Sequence, residues 1–236
     1  MSQHQLKNIR AVIFDVGNTL TTPDWERIHT ASRKFINTPF DAEDLQKRIS
    51  EILFKADTDE AFLKNLASKS VRTGWHLLKL YEELGLNQSQ IEDMAAALDT
   101  LHLNRHLWTR LNEDAFDVIN QLKNRGLRIG VISNSEDGQV ENLLKAVKIV
   151  PLLDVYLDSY VVGITKPDPK IFQMAVKTLN VAPEEAVYIG DSYTQDIIGA
   201  RNAGLKAILF DPLNLHLNKD VVKIHSLKEI LELFIQ

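Results

Sequence analysis

The stretch AVIFDVGNTL (residues 11–20) decides the fold. Four apolar residues run without polar alternation and end on a carboxylate, Asp15, followed by Val16, Gly17, Asn18 and Thr19. A short apolar run of this kind suits a strand covered on both faces. Four more runs share its character: LRIGVIS (127–133), DVYLDS (154–159), AVYIG (186–190) and KAILF (206–210). Amphipathic stretches separate them, at 114–125 before Gly126, 137–147, 169–180, and 194–203 before Gly204. SLKEILELFI (226–235) reads as a closing helix. Strand–helix–strand alternation implies right-handed βαβ units, hence a doubly wound, Rossmann-like parallel sheet with helices on both faces.

Between Thr22 and about Arg110 the pattern changes. Helical periodicity dominates and strand-like runs are scarce. Asp41 with Asp44 resembles a capping box opening a helix through about Ala56. A second helix is expected from about Val71 to Leu84, stopped by Gly85, and a third from Ser89 to about Asn104. So long a connection should be a subdomain of its own. The expected organisation is therefore an α/β core, 1–21 with 108–236, carrying an all-helical insert over 22–107. Trp25, Trp75 and Trp108 read as packing anchors of that insert.

At 236 residues the chain suits one core plus an insert. Its 44% hydrophobic and 25% charged content is ordinary for a globular protein. A net charge of −5 without any basic run speaks against a nucleic-acid or anionic-membrane partner. The absence of cysteine excludes disulfides, thiolate catalysis and Cys-ligated zinc. MSQHQLKNIR at the start lacks the apolar core of a signal peptide, and no apolar run nears the roughly 20 residues a bilayer requires. A cytoplasmic monomer or homodimer is expected.

In open parallel sheets ligands bind beyond the carboxyl ends of the strands. Those ends deliver Asp15, then Ser133-Asn134, then Lys166 in Lys166-Pro-Asp-Pro169, then Asp191, with Asp196 five residues on. An ionised Asp is a competent nucleophile toward phosphorus. Carboxylates with a backbone carbonyl form an all-oxygen site suited to Mg²⁺. A lysine neutralises charge on nucleophile and phosphoryl oxygens, and a hydroxyl and an amide can bond those oxygens. Positioning and charge neutralisation are most of what phosphoryl transfer needs.

The segments FDVGNTL (14–20), VISN (131–134), GITKPDP (163–169) and GDSYTQDIIGARNAG (190–204) resemble, in order, the four motifs of the haloacid-dehalogenase superfamily. The helical insert looks like that superfamily's C1 cap. The resemblance implies a Mg²⁺-dependent phosphohydrolase of a small phosphorylated metabolite. Asp15 would be the nucleophile and Lys166 the stabilising cation. Ser133, Asn134 and Asn18 would bind substrate. Asp15, the Gly17 carbonyl, Asp191 and Asp196 would hold Mg²⁺. Cap residues closing over the site would set specificity, hinged near Thr21–Pro23 and Arg105–Glu113.

One residue departs from the pattern. Phosphatases of this superfamily usually carry a general acid/base Asp two residues after the nucleophile, and here that position is Gly17. A general acid contributes about 10²–10⁴-fold. Four readings follow: a slow phosphatase preferring good leaving groups; a proton from another residue, Asp24 or His29; displacement at carbon, as in 2-haloacid dehalogenases; or binding of phosphate or protein without turnover. The acidic fourth motif ranks the phosphatase first, because carbon-displacing dehalogenases need no metal. A glycine at 17 also has a plainer reading, as the residue that permits a tight turn.

Overall fold

The computed structural model describes residues 6–36, 41–58, 81–135 and 137–234. Most of the helix expected over 71–84, and Trp75, lie outside these residues. The chain divides into two compact units, 1–22 with 110–236, and 23–109.

The first unit is built on a six-stranded parallel sheet in the order β5-β4-β1-β6-β7-β8. Its strands are β1 (Ala11–Phe14), β4 (Arg128–Ser133), β5 (Val155–Asp158), β6 (Ala186–Gly190), β7 (Lys206–Phe210) and β8 (Val222–Ile224). All five pairings are parallel, with β1 central between β4 and β6. Every residue of β1 and β6 is buried, as unalternating apolar runs require. Alternation along each strand gives the two faces different partners. Ala11, Ile13, Ile132, Tyr188 and Leu209 join a cluster with Ile171, Phe172, Ala175 and Leu179 of α7 (Pro169–Leu179). Helix α4 (Ala115–Asn124) buries Ala115, Val118, Ile119 and Leu122, and stops where Gly126 takes φ 80°.

Local chemistry sets the helix ends. The Asp168 side chain accepts from Lys170 N–H at 2.9 Å with Pro169 in the first turn, and Asn180 ends α7 left-handed at φ 55°. Gly130 of β4 sits where a Cβ would come within 2.9 Å of Val155 Cγ1 and 3.3 Å of Leu179 Cδ1, so a side chain there would displace Val155 of β5 and crowd α7.

Three strands of this unit were absent from the sequence reading. One is edge strand β8. The others are β2 (Thr21–Thr22) and β3 (Arg110–Leu111), which pair antiparallel where the chain leaves and re-enters the unit. The Asn112 N–H donates to Leu20 O at 2.8 Å beside that ladder. The expected closing helix is shorter than its periodicity implied: a 3₁₀ turn (Leu227–Glu229) followed by α9 (Ile230–Leu233).

The described residues of the second unit form α1 (Trp25–Ser32), α2 (Ala42–Thr58) and α3 (Gln88–Asn104). The Asp44 N–H reaches Asp41 Oδ1 at 2.9 Å, and Asn87 with Gln90 closes a capping box on α3. Ile28, Leu45, Ile49, Tyr81, Met94 and Leu98 form its own core, with Trp25 and Trp108 packed against it.

Candidate active site

Asp15 follows β1 directly, and its N–H donates to Ile189 O of β6 at 2.8 Å. That bond extends the ladder by one residue and fixes the carboxylate at the strand end. The chain then turns. Thr21 N–H and Oγ1 both donate to Val16 O, at 2.8 and 3.2 Å, and Gly17 bridges Thr21. The left-handed residue of this turn is Asn18, at φ 57°, whereas Gly17 is not among the positive-φ glycines. The turn therefore does not demand a glycine at 17.

The turn after β6 has a wider gauge. Ser192 caps it by accepting from Gln195 N–H at 3.0 Å, and Tyr193–Ile198 then winds as a π-helix. Ile197 N–H reaches back five residues to Ser192 O at 3.2 Å. This wide turn swings Asp196 back over the strand end, where its Oδ2 accepts from Ser192 N–H at 3.0 Å. A Cβ on Gly190 would lie 2.2 Å from that same oxygen, so this approach requires glycine.

Lys166 completes the cluster. Its Nζ donates to Asp15 Oδ1 at 2.5 Å, Asp196 Oδ1 at 2.7 Å and the Tyr188 hydroxyl at 3.1 Å. The side chains of Lys166, Asp15 and Asp196 are only 3, 8 and 1% exposed. Asn134 holds the lysine's backbone: its Oδ1 accepts from Lys166 N–H at 2.9 Å, and its Nδ2 donates to Lys166 O and Gln195 Oε1, both at 3.1 Å. One amide thus ties together the loops after β4, β5 and β6. Ser133 ends β4, buried.

One carboxylate oxygen from each of Asp15, Asp191 and Asp196 falls within 4.8 Å of the others. Burial, followed by the Asp196 charge, raises the Asp15 pKa to about 6 against the pull of Lys166. Loss of water and the neighbouring Asp15 and Asp196 charges push Asp191 well above the usual carboxylate range. Burial works to deprotonate Lys166, but Asp15 and Asp196 outweigh it and hold the ammonium well above its ordinary value. Three carboxylates face one ammonium, so the cluster favours a further cation. The donor set is all hard oxygen. Ligands on one Mg²⁺ at about 2.1 Å stand roughly 3–4 Å apart, inside the 4.8 Å within which these oxygens lie. The residues fit the ion.

The structure brings Asp15, Lys166, Asp191, Asp196 and Asn134 together and places Gly17, Asn18 and Ser133 on the same strand ends. Sequence reading missed Tyr188 and Gln195. Tyr188 lay hidden inside an apolar run; the one available signal was a hydroxyl two residues before the Gly190 turn. Asp24, considered as an alternative acid, belongs to the helical unit, where it accepts from Arg105 Nη2 at 2.9 Å. His29 lies on α1 of that unit.

A model of haloacid dehalogenase-like hydrolases matches residues 9–204. The chain belongs to that family. It is 29% identical over 205 residues to phosphatase MT3486 of Mycobacterium tuberculosis, covering 86% of this chain and 88% of that one. It is 30% identical to a glyceraldehyde 3-phosphate phosphatase of Methanopyrus kandleri, over 85 and 83% of the two chains. A HAD phosphatase from Thermococcus onnurineus shares the fold at a TM-score of 0.60, with 24% identity over 95% of this chain and 97% of that one. A 2-haloacid dehalogenase from Pseudomonas syringae shares it at 0.58, with 21% identity over 95 and 97%. One fold thus carries both chemistries, and the choice between them rests on the site.

Proposed function

We propose that this chain is a Mg²⁺-dependent phosphohydrolase that removes phosphate from a small metabolite through a phosphoaspartate on Asp15. The observation that carries this reading is the convergence of three carboxylates within 4.8 Å of one another, two of them paired with a single buried ammonium. Displacement of halide at carbon, in which Asp15 forms an ester as the carbon–halogen bond breaks, needs no metal and so no metal-holding Asp191 and Asp196; attack by one anion on a phosphate dianion calls for the cation they would hold. The two phosphatase-named relatives support the same reading across most of their length.

Asp15, the Gly17 carbonyl, Asp191 and Asp196 would hold Mg²⁺, which supplies charge neutralisation between an anionic nucleophile and an anionic phosphate. The protein's own residues do the rest. The Asp15 carboxylate attacks phosphorus as the bond to the leaving oxygen breaks. Lys166 holds Asp15 in place and balances charge as it moves onto the phosphoryl oxygens. Ser133 and Asn18 are read as contacts to those oxygens. Asn134, its amide hydrogens engaged with Lys166 O and Gln195, serves by holding the loops that carry them. Water then attacks the acyl phosphate, releasing inorganic phosphate and restoring Asp15. With glycine at 17, no side chain at that position protonates the leaving oxygen, so aryl and acyl phosphates should turn over far better than alkyl esters.

The test is p-nitrophenol release from its phosphate ester with Mg²⁺ or EDTA, for wild type and Asp15→Asn. Turnover requiring both Mg²⁺ and Asp15 supports the proposal. Halide release from a 2-haloacid, indifferent to EDTA, would replace it with displacement at carbon, a reaction for which Gly17 is no handicap.

A further inference from the structure

The Lys166 ammonium carries three hydrogens, and the structure gives each an acceptor. Two are the Asp15 and Asp196 carboxylates. The third is neutral: the Tyr188 hydroxyl, 3.1 Å away. That hydroxyl donates its own proton to Ile132 O at 3.2 Å, one residue before Ser133. Its direction is thereby fixed, with a lone pair toward Lys166. The ring is wholly buried and meets Phe172 edge-on, centroids 5.0 Å apart at 75°. Rigid strand β6 and this packing leave the oxygen little freedom, while the ammonium it meets ends a chain of four flexible carbons.

We propose that Tyr188 is a positioning residue: it sets the Lys166 ammonium back between Asp15 and Asp196. Without the hydroxyl, two carboxylates would be the only strong acceptors, and the ammonium would settle onto one of them. Settled on Asp15, it lowers that group's nucleophilicity. Settled on Asp196, it competes for a proposed Mg²⁺ ligand. Tyr188 acts only through Lys166, so its loss should slow the chemical step and spare substrate affinity. This inference rests on Asp15 being the nucleophile.

Tyr188→Phe removes one oxygen and keeps the ring. With saturating Mg²⁺ and p-nitrophenyl phosphate, kcat should fall about tenfold while KM stays within about twofold. Near-UV circular dichroism and the thermal midpoint establish that the variant is folded. A second readout needs no turnover: beryllofluoride with Mg²⁺ mimics the phosphoryl group on Asp15, and Tyr188→Phe should bind it about tenfold more weakly by calorimetry. Wild-type kcat and beryllofluoride affinity in the variant overturn the inference and leave the proposed function standing. A rise in KM with kcat unchanged also overturns it, because uniform binding rather than the chemical step is then affected. A wild type that neither turns over nor binds beryllofluoride removes the proposed function and this inference with it.

Discussion

The two units bury charge in opposite ways. In the helical unit, Asp24 is 4% exposed and accepts from the exposed Arg105 guanidinium at 2.9 Å. Arg27 adds its guanidinium to the end of α3, donating to Leu101 O at 2.8 Å and Arg105 O at 3.0 Å. These contacts tie the start of α1 to the end of α3, and Asp24 N–H also reaches Leu107 O at 2.7 Å. In the sheet unit, three carboxylates gather around one ammonium that pairs with two of them, and two of the three are pushed toward protonation. A buried acid that accepts from a solvated guanidinium at a helix junction serves the architecture. An unbalanced buried cluster is costly to keep unless it has a task, and its imbalance indicates the missing charge.

The sharpest way to break this contrast is to change the unbalanced cluster. Asp15→Asn should reduce p-nitrophenyl phosphate turnover by about 10³-fold or more, measured in steady state. Retained turnover would make the cluster as architectural as the Asp24 pair.

The next effect concerns pH and the metal. Asp15 titrates near 6 in the folded protein against an ordinary 3.8. An acid raised on folding gives stability that is full below about 3.8 and lost as pH rises to about 6, because only the unfolded chain ionises in that window. The loss is roughly 3 kcal/mol in metal-free protein. Mg²⁺ needs the ionised carboxylates, so the rise it gives in thermal midpoint should grow as pH passes through 6. Calorimetric scans with and without Mg²⁺ at pH 5, 6 and 7 check this. A shift independent of pH would place the ion elsewhere.

Gly17 offers a gain rather than a loss. The left-handed turn residue is Asn18, so the backbone angle at Gly17 does not stand against Gly17→Asp. It should raise hydrolysis of alkyl phosphates by about 10²-fold and leave p-nitrophenyl phosphate nearly unchanged. Equal effects on both substrates would mean the added carboxylate acts on something other than the leaving group.

The smallest effect belongs to the Arg105–Asp24 contact. Arg105→Ala should cost about 1 kcal/mol, since solvent screens the exposed guanidinium, and should leave kcat within twofold. A large kcat loss at unchanged stability would erase the contrast between the units.

These differences also explain what the sequence made legible. Strands β1 and β6 coincide with their apolar runs because burial on both faces leaves no charged residue to blur their ends, and β7 is buried likewise after its exposed first residue, Lys206. Asp15, Lys166, Asp191 and Asp196 were legible because a parallel sheet gathers its strand ends at one edge. Two-residue strands β2 and β3 carry no periodicity, and β8 is a short, half-buried edge. Tyr188 was hidden because its ring behaves as core while its hydroxyl serves the site. The π-helical turn at Tyr193–Ile198 reads as ordinary helix, since its wider gauge follows from backbone hydrogen bonds that no residue type announces.

The most direct test of the central claim is chemical capture of the intermediate. Wild type is mixed with ³²P-labelled acetyl phosphate and Mg²⁺, quenched in acid within milliseconds, and its peptides are analysed by mass spectrometry. The account predicts acid-stable, base-labile phosphate on the peptide carrying Asp15, absent with EDTA and in Asp15→Asn. Phosphate release with no label on Asp15, or label on another residue, would contradict it.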